Sequence, residues 1–345
     1  MAHIDNILRD KLFVFSGSTQ TTDAEHEILT LIAAKENLGE VLRTSLIDNE
    51  ENYDSYKLET LENEFLVKVS LDDSYEGFER EFQILQQLEG LSFAPKPIAK
   101  DKLSYGDKIS YLVTQFESAQ SAEELGKSIL FANHEECLKQ IKTIHQQKIT
   151  TLSLQEKLQK IFAATNIENQ PEFSELVKSK SDNYQLLQDE ILALKQFIQQ
   201  SYKDSFSSET LCHGNINPST LLIGPQKISL INWQNSFNAH PFIDLSNLRM
   251  EFDFGEDFEF QLFNNYGGGH SWNEYLAARN FWASIKLLEY VFSYIKEIYL
   301  FRSLRQDKIL KIFSSFCRNI KFFNHIPAFS KNREALLNLF SSPMI

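Results

Sequence analysis

The stretch Leu211-Cys212-His213-Gly214-Asn215-Ile216-Asn217-Pro218-Ser219-Thr220-Leu221-Leu222-Ile223 is followed eight residues on by Ile231-Asn232-Trp233-Gln234, and then by His240-Pro241-Phe242-Ile243-Asp244-Leu245. Short apolar runs flank a loop punctuated by Gly and Pro, which reads as a small β island over residues 210–233. The chain around it reads as helical, with 135–147, 154–163, 172–178 and 184–202 before the island and helices returning from residue 258.

Further upstream the pattern changes. Residues 5–40 read as a helical extension, with Ala24, Ile28, Leu31 and Ile32 at helical spacing. Short β runs come next at 41–47, 56–61 and 65–69, a three-strand meander whose last two strands join near Glu62-Asn63. One helix, 75–88, carries Phe78, Phe82, Leu85 and Leu88 on a single face, and Pro95 and Pro97 end that element. Strands at 98–102 and 109–116 are joined by a Tyr-Gly-Asp turn, and the polar run 117–121 reads as a hinge. The prediction is an α+β chain: a helical extension over 1–40, a β-rich N-lobe over 41–116 and a mainly helical C-lobe over 117–345 that carries the island.

Composition narrows the function. An apolar content of 42% with 23% charged residues is that of a folded domain, and 345 residues suffice for two lobes. A formal charge of -13 disfavours nucleic acid and anionic membrane surfaces, which are held by Lys and Arg. Cys137, Cys212 and Cys317 are odd in number and far apart, so neither a disulfide framework nor a Cys-based zinc site is expected, and a reducing cytoplasm suits them. The first ten residues are charged and read as no signal peptide. The most apolar run, 281–300, keeps Lys286, Glu289, Lys296 and Glu297. It therefore reads as a buried amphipathic helix rather than a span.

The opening stretch resembles the aminoglycoside phosphotransferase and choline kinase family, whose signature is H-G-D-x-x-P-x-N followed by I-D-W-E and D-P-x-x-D-L. Residues 65–69 look like the strand bearing the family's phosphate-contacting lysine, here Lys68, and 78–88 like the helix after it, with Glu81 as the lysine's ion-pair partner. Leu138–His145 resembles the L-x-x-L-H helix, and 262–267 the F-x-x-x-Y-G segment. The resemblance covers roughly residues 41–300 in the right order. It implies a bilobal protein-kinase-like fold with Lys68, Glu81, Asn215, Thr220 and Asn232 in the cleft, and ATP with Mg²⁺ as cofactors of an active member.

The departures fall on the chemistry. Asn215 stands at the position of the family's catalytic Asp, and an amide cannot take the proton of an attacking hydroxyl. Losing a general base costs roughly 10²–10⁴ in rate. Thr220 stands for the family's metal-binding Asn, and Asn232 for its second metal-binding Asp, so both anchors for a hard cation are neutral. Gln234 replaces a frequent Glu. The turn between the first two strands should be Gly- and Ser-rich to approach phosphate, yet residues 48–54 contain no glycine and four carboxylates. Each would repel a phosphate by about 1 kcal/mol at 4 Å in water.

Lys68 is either a solvated lysine on a sheet face or the partner of Glu81. His213 reads as structural, since Cys212 and His213 point to opposite faces of a strand and cannot form a dyad. Asp244 reads as a brace for the loop rather than a metal ligand. His145, His240 and His270 lack neighbours at ligand spacing and read as surface or capping residues, and no metal site is expected. Glu251, Asp253, Glu256 and Asp257 form an acidic loop that is either solvated or attractive to a cationic substrate. Residues 150–205 carry no chemical signal.

Two functions remain, besides a chance motif in an unrelated α+β protein. One is a degenerate phosphotransferase, a pseudokinase that acts as a binding or scaffold module for a protein partner or a small molecule in the cleft. The other is an active kinase of a small hydroxylated or amine substrate with an atypical metal site.

Overall fold

The computed structural model describes residues 21–50, 52–72, 75–105, 107–126, 128–166, 184–225, 227–300 and 306–323. Along the chain come α1 (Asp23–Lys35), β1 (Val41–Asn49), β2 (Asp54–Thr60), β3 (Glu64–Ser70), α2 (Glu76–Gln87), β4 (Pro97–Tyr105), β5 (Asp107–Gln115) and β6 (Gln120–Ser121). They are followed by α3 (Ile129–His145), α4 (Leu154–Ala164), α5 (Tyr184–Ser201), β7 (Leu211–Cys212), β8 (Leu221–Ile223), β9 (Ile228–Leu230) and β10 (Phe237–Asn238). The last four helices are α6 (Phe242–Phe252), α7 (Glu256–Tyr266), α8 (Trp272–Leu300) and α9 (Gln306–Phe323). The sequence-predicted α+β order is present. The expectations for residues 5–20, for helix 172–178 and for Gly106 of the Tyr-Gly-Asp turn lie outside the described residues.

Contacts group the chain into two compact units, Met1–Glu124 with Ser219–Asn235, and Leu125–Pro218 with Ser236–Ile345. The first holds an antiparallel sheet in the order β1-β2-β3-β5-β4. Its two faces follow from strand alternation. Phe65, Val67 and Val69 of β3 join Tyr56, Leu58, Tyr111 and Val113 against Ile28, Leu29 and Ile32 of α1. Each such fully buried aliphatic side chain contributes roughly 1.5–3 kcal/mol. α1 starts in a capping box in which Thr22 accepts the N–H of Glu25 and Glu25 accepts that of Thr22. The buried Glu25 also takes the Tyr56 hydroxyl at 2.8 Å, which ties helix to sheet.

Lys68 lies on the other face, where Phe78 of α2 packs with Leu112 and Tyr53. The hinge expected at 117–121 is shorter than the sequence suggests. Gln120 and Ser121 form β6 and pair with β8, which pairs in turn with β9.

The second unit is helical, with α8 packed against α5, α6 and α9. Phe281, Ile285, Leu288 and Phe292 of α8 are buried, and no described helix is long and apolar enough to cross a membrane. Helices return earlier than residue 258, because α6 begins at Phe242 directly after Pro241. Ten of its eleven residues are buried. A helix covered on every side has no polar face and so no amphipathic period to read. Its polar groups are satisfied inside: Arg249 pairs with Glu259 at 2.8 Å, and Asn247 accepts the Trp282 indole N–H at 2.7 Å.

Candidate functional site

Lys68 is not a solvated lysine. It is 2% exposed, and its Nζ donates to Glu81 Oε1 at 2.9 Å, to Glu81 Oε2 at 2.8 Å and to Asn232 Oδ1 at 2.8 Å. An ammonium has three donors, and all three are used. β3 fixes the lysine opposite Leu112, and α2 presents Glu81 from the face it turns to the sheet. Asn232 reaches the lysine from a left-handed backbone conformation, φ 68°, which Asn tolerates better than most residues.

The residues after Asn232 lock onto the same carboxylate. The Trp233 N–H donates to Glu81 Oε1 at 3.2 Å, and Arg80 donates to the Gln234 carbonyl at 2.9 Å. With its amide oriented by the hydrogen-bond network, Gln234 donates to Glu81 Oε2 at 2.9 Å and accepts from the Tyr53 hydroxyl at 2.7 Å. That orientation gives every donor an acceptor.

Tyr53, in the turn between β1 and β2, carries no sequence signal for this role. Its ring centroid lies 5.2 Å from Lys68 Nζ, and its edge meets Phe78 at a centroid distance of 5.5 Å. Burial, with Glu50 and Glu81 nearby, pushes the phenol pKa far up, so the hydroxyl remains a donor. The turn is held by the Glu50 N–H on the Tyr53 carbonyl at 2.9 Å and the Ser70 hydroxyl on the Asn52 carbonyl at 2.6 Å.

A second constellation lies within the helical unit. Asp244, fully buried on α6, accepts the His213 N–H on Oδ2 and the Gly214 N–H on Oδ1, both at 2.8 Å. Oδ2 also meets His145 Nε2 at 3.1 Å, and the other nitrogen of His145 meets the Tyr266 hydroxyl at 2.8 Å. Gly214 turns there with φ +74°, a conformation that suits glycine. His145 is thus no surface or capping residue. The contact spans 99 positions in sequence, beyond the reach of local spacing.

His145, Cys212 and Asp244 bring one ligand atom each within 4.8 Å of one another. Each of the three has a hydrogen-bond partner in the structure. Asp244 already receives two backbone N–H groups. The Cys212 thiol donates to the Ala239 carbonyl at 3.5 Å, and burial and Asp244 raise its pKa well above the usual thiol value.

Asn215 follows Gly214 and is half-buried, while Thr220 is buried with its carbonyl accepting the Ile231 N–H at 3.1 Å. His240 is a local cap: its Nδ1 accepts the Phe242 N–H at 3.3 Å, and burial beside His270 lowers its pKa to about 4. In the acidic loop, Asp253 pairs with Lys321 at 2.5 Å and Glu251 accepts the Tyr290 hydroxyl at 2.9 Å. Glu256 and Asp257 stand in the first turn of α7, where the helix dipole favours acids.

The donor set does not fit Mg²⁺, which is usually anchored by one or two carboxylates. Asn232 offers a neutral oxygen already engaged by Lys68, and Thr220 offers a short hydroxyl.

Solved structures with the same fold include spectinomycin phosphotransferase in complex with ADP and spectinomycin, 16% identical with a TM-score of 0.58 over 84% of this chain and 93% of that one. The choline kinase LicA from Streptococcus pneumoniae is 17% identical, with a TM-score of 0.56 over 86% and 98%. An apo aminoglycoside phosphotransferase, a thermostable mutant, is 10% identical with a TM-score of 0.59 over 84% and 96%. Among curated proteins none matches. At these identities the structures establish a kinase-like fold, with an antiparallel sheet in its N-terminal part and helices beyond. The model of the phosphotransferase enzyme family matches residues 45–281, more than half of the sequence, and the chain belongs to that family.

Proposed function

We propose that this family member is catalytically degenerate, a pseudokinase that acts by binding rather than by phosphoryl transfer. One observation carries the reading: Asn232, at the family's second metal-binding position, gives its amide oxygen to the Lys68 ammonium. An acid there would anchor Mg²⁺, and a lysine paired only with its Glu would keep a donor for phosphate. Here the lysine is spent on its own protein. Asn215 and Thr220 add a neutral base position and a weak metal ligand. Without base or metal, positioning alone is left, and the missing base costs roughly 10²–10⁴ in rate.

The role that suits such a chain is a scaffold for a protein partner or a receptor for a small molecule. A cytoplasmic setting suits its three free thiols.

The intact pair of Lys68 and Glu81 favours a second reading, because active kinases require it. On that reading the chain phosphorylates a small hydroxylated or amine substrate through an atypical metal site. ADP release from Mg·ATP, measured over a panel of aminoglycosides and choline, separates the two. The degenerate reading expects no turnover above buffer, and little gain in N215D/T220N/N232D because residues 48–54 remain acidic and glycine-free. Robust turnover by the unmodified chain overturns it.

A further inference from the structure

We infer that Tyr53 is a built-in plug over the phosphate-contacting lysine, so that the first unit keeps its own phosphate site closed. The inference rests on the reading of Lys68 as the family's phosphate contact, and it adds a residue and a mode of regulation to that site.

The turn that should cradle phosphate with glycine N–H groups instead lowers an aromatic side chain onto the lysine. Tyr53 is 7% exposed and covers Lys68 from one side, with Glu81 and Asn232 occupying its donors from the others. An ammonium over an aromatic face is attracted to it, more strongly when water is excluded. The hydroxyl bond to Gln234 and the edge contact with Phe78 fix the ring. The Ser70 bond to the Asn52 carbonyl holds the turn down. A phosphate oxygen can reach Lys68 only if the ring swings out and Asn232 yields its place as third acceptor. Opening is therefore an exchange of partners, with an incoming anion replacing an amide oxygen.

Plug removal should expose the lysine to reagents and to anions alike. In the 345-residue chain, reductive methylation with formaldehyde and cyanoborohydride, read by mass spectrometry, reports access to each lysine. Lys139, with a side chain 73% exposed, is the internal reference. Local opening governs such labelling. In the unmodified chain Lys68 should label roughly a hundredfold more slowly than Lys139.

Y53A should raise the Lys68 rate by roughly tenfold or more, and millimolar inorganic pyrophosphate should slow it again in that variant alone. Y53F keeps the ring and should stay protected. Should Y53A fail to fold, Y53L retains apolar packing on Phe78 without the aromatic face, and should label several times faster than the parent (roughly, on the same opening argument). Labelling of Lys68 at the Lys139 rate in the unmodified chain overturns the plug, and so does labelling of Lys68 in folded Y53A or Y53L no faster than in the parent. Either failure leaves the degenerate reading standing, because that reading is decided by turnover and not by labelling.

Discussion

Replacing Glu81 by Leu is expected to damage the first unit far more than loss of an ordinary surface carboxylate. Glu81 accepts from Lys68 twice, from the Trp233 N–H and from the Gln234 amide. E81L leaves an ammonium at 2% exposure with one neutral acceptor, Asn232. Removing one partner of a buried pair costs about 3–5 kcal/mol, mostly for the charge left behind. A domain's whole stability is about 5–15 kcal/mol, so a large share of it is at risk. The double variant K68M/E81L removes both charges and should recover part of that loss, staying about 1–3 kcal/mol below the parent because the buried Trp233 N–H and Gln234 amide still lose their carboxylate acceptor. Urea unfolding of the four members of the cycle measures the coupling, and hydrogen exchange at the amides of β3 and β5 localises it to the sheet. A loss below about 1 kcal/mol in E81L is the value of a solvated pair and would rule out a buried charge at Lys68 as the source of the cost. So would a double variant no better than the single.

The brace in the helical unit gives a second prediction. D244A leaves the His213 and Gly214 N–H groups unpaired in the interior and should cost about 3 kcal/mol in thermal unfolding. G214A forces a side chain into φ +74° and should cost about 1–2 kcal/mol in the same assay. His240 has a folded pKa of about 4, below its unfolded value near 6.5, so the unfolded state takes up the proton first as pH falls. Its contribution is fully present above pH 6.5 and lost as pH drops toward 4. After a discount for partial exposure that loss is about 1–2 kcal/mol, and H240N should flatten the slope of stability against pH over this window.

Local patterns make much of the first unit legible. Alternation in β3 puts Phe65, Val67 and Val69 on one face and Lys68 on the other, and the structure has them so. Ordered motifs point to the family, which the match over residues 45–281 supports. The part that local reading cannot supply is tertiary. α6 is buried on all sides and shows no period, so nothing local marks its start at Phe242. The His145 contact with Asp244 joins α3 to α6, and nothing in the spacing of single histidines reveals it. Tyr53 sits in a turn whose carboxylates dominate a charge-based reading, so the aromatic residue among them looks incidental. The partner that Asn232 finds is equally hidden. Substitution of an acid by an amide reads as a loss, whereas in the fold the amide gains a lysine.

Loss of metal-dependent nucleotide binding underlies the proposed degeneracy, and calorimetric titration of Mg·ATP into the 345-residue chain reads it out. A degenerate site should give no saturable heat up to roughly millimolar nucleotide, where binding energies fall to about 4 kcal/mol, and the same trace with EDTA in place of Mg²⁺. Saturable binding in the micromolar range that disappears on chelating Mg²⁺ would contradict it.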